Sequence, residues 1–190
     1  MSHNEIKTFD CGSKFHPEYP KQIKVKSYKP LLKEVFDLVK SENPDIKINI
    51  EIKSMPAYYD LYTPQPKKYV AIILSEIIEH HMFNRVNLQS FDLAILEEIK
   101  KQSPEMKVAL LVDDNETIKD KLAELSYKPE IISPYFKLLT LQKVLDYQEK
   151  KYQIIPWTVN NKDDLELMIE WQVDGIITDY PNELIKLLSQ

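Results

Sequence analysis

The stretch "LLKEVFDLVKSE" (31–42) sets Leu32, Val35, Phe36 and Val39 at the three- and four-residue spacing of one helix face. The next stretch, "IKINIEIK" (46–53), alternates β-branched and polar residues and predicts a strand. The same change of period repeats to the end of the chain. Helices are predicted over 66–82, 92–103, 115–126, 140–151, 161–172 and 181–190, and strands over 85–91, 107–113, 130–136, 152–160 and 173–179. Pro66 suits a first helical turn and Thr140 an N-cap, and Asp113 and Asp114 read as capping residues for the helix that follows them. Residues 1–30 are turn-rich and form an irregular lead-in.

Strands that are mostly apolar and alternate with helices imply a parallel sheet covered by helices. The strand-to-strand repeat is about 20 to 25 residues, compact enough for a barrel with short connections. Six strands are predicted, whereas a closed (β/α)8 barrel has eight. The expectation is an α/β chain forming a single domain over 1–190, either an open sheet or a barrel lacking its front. A flavodoxin-like open sheet is the distant alternative.

Composition narrows the function. Apolar residues at 43% and charged residues at 29% are ordinary for a soluble globular chain. A net charge of −5 argues against a nucleic-acid partner, whose binding proteins are basic. Cys11 is the single cysteine, so no internal disulfide can form. No run of 18 apolar residues predicts a membrane span. The polar opening residues lack a signal-peptide core, which as written implies a cytoplasmic protein. Gly12 and Gly175 are the only glycines, so a glycine-rich phosphate loop is excluded. Phosphate would have to be handled by side chains, a metal or helix N-termini.

In parallel α/β folds, chemistry sits beyond the C-terminal strand ends. Those ends carry Glu51 and Lys53; Gln89, Ser90 and Phe91; Asp113 and Asp114; Ser133; Trp157, Thr158 and Asn160; Thr178 and Asp179. Glu51 and Lys53 are two apart, so both project from one face while Ile50 and Ile52 take the other. The carboxylate reads as a metal ligand or general base and the lysine as a phosphate partner. The competing reading is a structural ion pair. Trp157 reads either as a wall of a substrate pocket or as core. His80 and His81 are neighbours that do not share a helix face, and read as helix-end residues. His3 and His16 have no partner in sequence.

Together "NIEIKS", "RVNLQSFD", "KVALLVD", "SPYFKLLT" and "IIPWTVNNKDDLELMIEWQVDGIITDYPNELIKLL" resemble the glycerophosphodiester phosphodiesterase family, in the barrel superfamily that also holds phosphatidylinositol-specific phospholipases C. The resemblance runs from Phe9 of "FDCGSKF" to Leu188. It implies a (β/α)8-type barrel and hydrolysis of glycerophosphodiesters to glycerol 3-phosphate and an alcohol such as choline or ethanolamine. It implies Glu51 as a ligand of a divalent cation, calcium or magnesium, and Lys53 as the contact to the phosphate. Trp157 and Phe91 would line the pocket, with Gln89 beside them as a substrate-binding residue.

The chain also departs from the family. The family's H-R-G, P-E-N-T, E-x-D and H-D segments, which hold two catalytic histidines, an arginine and two further metal carboxylates, do not occur in these residues. The expectation is therefore an incomplete barrel of about six βα units, the C-terminal portion of such an enzyme, inactive as a fragment. The alternative is a degenerate, non-catalytic member acting as a binding or scaffold protein. Exposed edges at "INIEIK" and "DGIITD" would favour oligomers. Members of the family are often exported, which implies a periplasmic or secreted parent.

Overall fold

The computed structural model describes residues 1–189, and the chain divides into two compact units, Met1–Ile46 and Lys47–Gln190. The first unit has two helices, α1 (His3–Ile6) and α2 (Leu32–Glu42). A capping box between Ser2 and Glu5 starts α1 inside the stretch expected to be irregular. In α2 the predicted apolar stripe is realised, with Phe36 fully buried. The backbone between these helices is held by side chains rather than by a ladder. Asp10 accepts from the N–H groups of Gly12 (3.0 Å), Ser13 (3.1 Å) and Ser27 (3.3 Å). Glu34 accepts from the N–H of Leu31 (2.7 Å), the Lys7 ammonium (3.0 Å) and the Tyr28 hydroxyl (3.2 Å).

The second unit is built on β1 (Ile48–Glu51), β2 (Val86–Ser90), β3 (Val108–Val112), β4 (Ile131–Pro134) and β5 (Gln153–Ile154). All neighbouring pairs are parallel, in the order β1-β2-β3-β4-β5. Between and after them run α3 (Pro66–Glu79), α4 (Leu93–Gln102), α5 (Ile118–Ala123), α6 (Leu141–Glu149), α7 (Lys162–Glu170) and α8 (Pro181–Leu188). Sequential parallel strands with helical crossovers are the arrangement of a barrel wall, so the α/β class and the incomplete barrel stand as expected. Leu88, Leu110, Ile132 and Ile154 share one face of the sheet and have no solvent exposure. Against that side pack the helices, with α4 on β2 and β3, and α6 on β5. Burying one such side chain contributes roughly 1.5–3 kcal/mol.

Several details differ from the sequence expectation, among them the strand expected over 152–160, which is regular only at Gln153–Ile154. Among the described residues five strands form, not six. Residues 173–179 follow the end of the sheet through single bonds: Asp174 N–H to Ile154 O, Ile177 N–H to Pro156 O, and Val159 N–H to Ile177 O, each 2.9 Å. A regular ladder fails there because Pro156 has no N–H and because the Ile154 N–H is taken by the Asp174 carboxylate at 2.8 Å. The helix predicted over 115–126 is shorter, and its cap is Thr117, whose hydroxyl accepts from Asp120 N–H. Asp113 and Asp114 do not cap it. They close the preceding turn, Asp113 N–H donating to Glu116 and Asp114 N–H to Asp113.

Candidate functional site

Register decides which side chains meet at the C-terminal end of the sheet. Glu51 is paired with Gln89, Leu111 with Ser133, and Tyr135 bridges Trp157. Paired residues of parallel strands share a face, and so do residues two apart. Glu51, Lys53, Gln89, Phe91, Ser133, Tyr135 and Trp157 therefore belong to one face, opposite the helix-covered one.

Beneath the mouth this face is polar on its β1–β2 side. Asn87 donates its amide to Asn49 Oδ1 (2.6 Å), and Asn49 donates to Gln89 Oε1 (2.8 Å). Gln89 is buried, and its carbonyl is directed into this ladder. One step higher, Lys53 Nζ lies 2.8 Å from Glu51 Oε1. The lysine side chain is 82% exposed and the glutamate 27%, so the pair offers a cation to the solvent at the strand end. An exposed pair of this kind is worth about 0–1 kcal/mol to the fold.

Across the mouth stands an aromatic cluster. Phe91 meets Trp157 edge-to-face at 5.4 Å, and Tyr135 lies 5.7 Å from the same indole. Trp157 is held by its Nε1–H, which donates to Ser133 O at 2.8 Å, while the Ser133 hydroxyl donates to Ile155 O at 2.7 Å. Sequence reasoning missed Tyr135. The signal for it was present, because it lies two residues beyond Ser133 on the same strand path.

A second missed feature ties the first two strand ends together. The Ser90 hydroxyl donates to Ile52 O (2.7 Å) and accepts from Asp92 N–H (3.1 Å). Buried Asp92 caps α4 through Ala94 N–H (3.1 Å) and accepts from the Tyr59 hydroxyl (2.7 Å). Partial burial, together with that bond to the carboxylate, pushes the Tyr59 hydroxyl well above the usual tyrosine range. The loop after β1 is thereby anchored beside Phe91. On the far side, Asn160 donates to the Asp179 carboxylate (2.8 Å) and accepts from Asp179 N–H (2.9 Å) and the Thr178 hydroxyl (3.2 Å).

The histidines of this unit lie elsewhere. His80 and His81 end α3, which must return to the N-terminal edge of the sheet to connect two parallel strands. His80 makes a 2.9 Å hydrogen bond with Glu76 O.

Comparison with known proteins decides the family. The glycerophosphoryl diester phosphodiesterase family model matches residues 1–183. The chain belongs to that family. A glycerophosphodiester phosphodiesterase from Caldanaerobacter subterraneus is 33% identical over 186 residues, covering 98% of this chain and 70% of its relative. One from Bacillus subtilis is 27% identical, covering 94% of this chain and 61% of its relative. A Silicibacter pomeroyi crystal structure of the same family superposes with a TM-score of 0.87 at 26% identity, covering all of this chain and 68% of that one. The chain thus spans 61% to 70% of the length of these two curated relatives.

Membership raises the question of a metal. Among the described residues, no group of three or more His, Cys, Asp or Glu side chains could hold an ion. Calcium takes six to eight oxygens and magnesium a near-octahedral set. Glu51 is a single carboxylate with an ammonium at 2.8 Å, so the described residues by themselves do not fit a hard divalent cation. Also among the described residues, no helix is long and apolar enough to cross a membrane.

Proposed function

We propose that this chain serves glycerophosphodiester hydrolysis, binding the glycerophosphate portion of the substrate between Lys53 and the aromatic cluster. The observation that carries the reading is the exposed Lys53 ammonium on the same sheet face as Phe91, Tyr135 and Trp157. In this reading Lys53 pairs with a phosphodiester oxygen, and Glu51 holds the lysine at the strand end. Phe91 and Trp157 cover the glycerol carbons and exclude water from them. Gln89 supports the floor through Asn49 rather than touching the phosphate. The products would be glycerol 3-phosphate and an alcohol.

Turnover by these 190 residues alone is not part of the proposal. A placed proton-transfer side chain contributes about 100- to 10,000-fold, and the described histidines of Lys47–Gln190, His80 and His81, follow the end of α3 instead of standing at the C-terminal sheet end. The second reading, a non-catalytic binding protein, draws on the same observation. Both predict that glycerol 3-phosphate perturbs the fluorescence of Trp157 in a Trp171→Phe chain, where it is the single tryptophan, and that adding Lys53→Ala abolishes the response. An unchanged response in that variant would sink the binding site. A coupled assay with glycerophosphocholine and calcium or magnesium should give no turnover. Metal-dependent turnover lost in Glu51→Ala would mean that other residues supply the proton transfer.

A further inference from the structure

One stretch of the first unit is strongly basic, within a unit whose eight lysines and seven acids leave a net of only +1. Residues 14–33 hold six lysines (14, 21, 24, 26, 29 and 33) against one acid, Glu18. This is a net of +5 in a chain whose total is −5, so the remainder carries −10. Among the described residues, none of the six lysines is in an ion pair. Between them stand large apolar side chains that face water: Ile23 is 83% exposed, Phe15 and Val25 each 59%, and Tyr28 41%. Lys24 lies 5.0 Å over the Phe15 ring.

The backbone under this surface is held in place. Cys11 N–H donates to Ser27 O (2.8 Å), Val25 N–H donates to Gly12 O (3.2 Å), and the Asp10 carboxylate gathers the Gly12, Ser13 and Ser27 amides. Gly12 sits so close that a Cβ there would lie 2.2 Å from Val25 O. Val25 and Ser27 are thus tied to residues 10–13, which fixes the base of the stretch that carries these side chains.

We infer that residues 14–33 form a docking surface for an anionic lipid interface. Lysines beside an anionic bilayer each strengthen binding about fivefold, and interleaved apolar side chains enter the headgroup boundary. A nucleic acid would use the cations and leave Ile23 and Val25 in water. The inference is independent of the proposed hydrolysis, since binding to vesicles is read without substrate.

The test is flotation of the whole chain with phosphatidylcholine vesicles, with and without about one-third phosphatidylglycerol. Association is expected only with the anionic vesicles, and it should weaken as salt rises. Replacing Lys21, Lys24, Lys26 and Lys29 by Gln should lower it on the order of 100-fold or more. Ile23→Ser with Val25→Ser should lower it about tenfold while keeping the salt dependence. These positions are exposed, so far-UV circular dichroism should be unchanged. A chain that leaves anionic vesicles unbound, or a lysine variant that floats as well as the parent, overturns the inference. So does tighter binding to a short DNA duplex that survives the serine changes, which would make the surface a nucleic-acid site.

Discussion

In Met1–Ile46 the backbone is gathered by Asp10 and Glu34, carboxylates that stay near water and collect N–H groups from loops. In Lys47–Gln190 the same task falls to a five-stranded parallel ladder whose side chains are sealed under helices. The first device depends on charge and on close backbone approach, and the second on volume. A carboxylate knot can be released by a proton, whereas a packed sheet face is disturbed by a missing methylene. The contrast also sets where chemistry can sit. The ladder fixes Glu51 and Gln89 by register and a single bridge from Tyr135 places Trp157, while the first unit leaves the six lysines of residues 14–33 to solvent.

The largest effect should come from the sheet. Leu110→Ala removes a side chain with no solvent exposure and should cost about 2–5 kcal/mol in urea unfolding. Hydrogen exchange should quicken across β2, β3 and β4. If the midpoint barely moves, volume is not what holds the second unit.

Gly12→Ala probes the other device. The added methyl meets Val25 O at 2.2 Å, a backbone atom that cannot rotate away, and should cost roughly 1–3 kcal/mol. Faster amide exchange is expected at Cys11, Val25 and Ser27, with the sheet amides the control. Slow exchange retained at Cys11 would show that the knot tolerates displacement.

A smaller loss, about 1 kcal/mol, is expected for Thr140→Ala, because its hydroxyl caps α6 at Lys143 N–H (3.2 Å). Thr140→Ser keeps the oxygen and should recover most of the loss in the same thermal melt.

The smallest and most specific contrast is in pH. The Leu31 N–H, and then Lys7, hold the Glu34 carboxyl down at about 2. Its contribution is present above the ordinary value of 4.5 and is lost as pH falls through about 2. Glu34→Gln should flatten this acid slope, and salt should weaken it in the parent. Burial raises the hydroxyls of Tyr59 and Tyr127 in the second unit, so their contribution is present below about pH 10 and lost above it. Exchange measured at both extremes should show acid loosening the first unit and alkali the second. Loosening in the reverse order would break the comparison.

Much of the fold was legible because periods of 3.6 and 2 follow directly from backbone geometry. The helix predicted over 66–82 is found at Pro66–Glu79, and the one over 140–151 at Leu141–Glu149. The shared face of Glu51 and Lys53 needed only the two-residue repeat of a strand. Their 2.8 Å contact satisfies the ion-pair reading, and it leaves Lys53 exposed enough for the phosphate reading as well. The sixth strand was less legible. Its apolar pattern "DGIITD" is strand-like, but Pro156 and the Asp174 carboxylate remove the regular bonds it would need.

The sequence alone determined the α/β class, the incomplete barrel, the sheet face of Glu51, Lys53, Gln89, Phe91 and Trp157, and the basic character of residues 14–33. Only the tertiary structure brought Tyr59 to Asp92 across 33 positions, Trp157 to Ser133 across 24, and Ser27 to Asp10 across 17. The reason is physical. Local period dictates which way a side chain points, because it depends on backbone angles within a few residues. A hydrogen bond between distant loops depends on the full path of the chain between them, and no spacing along the sequence encodes that path.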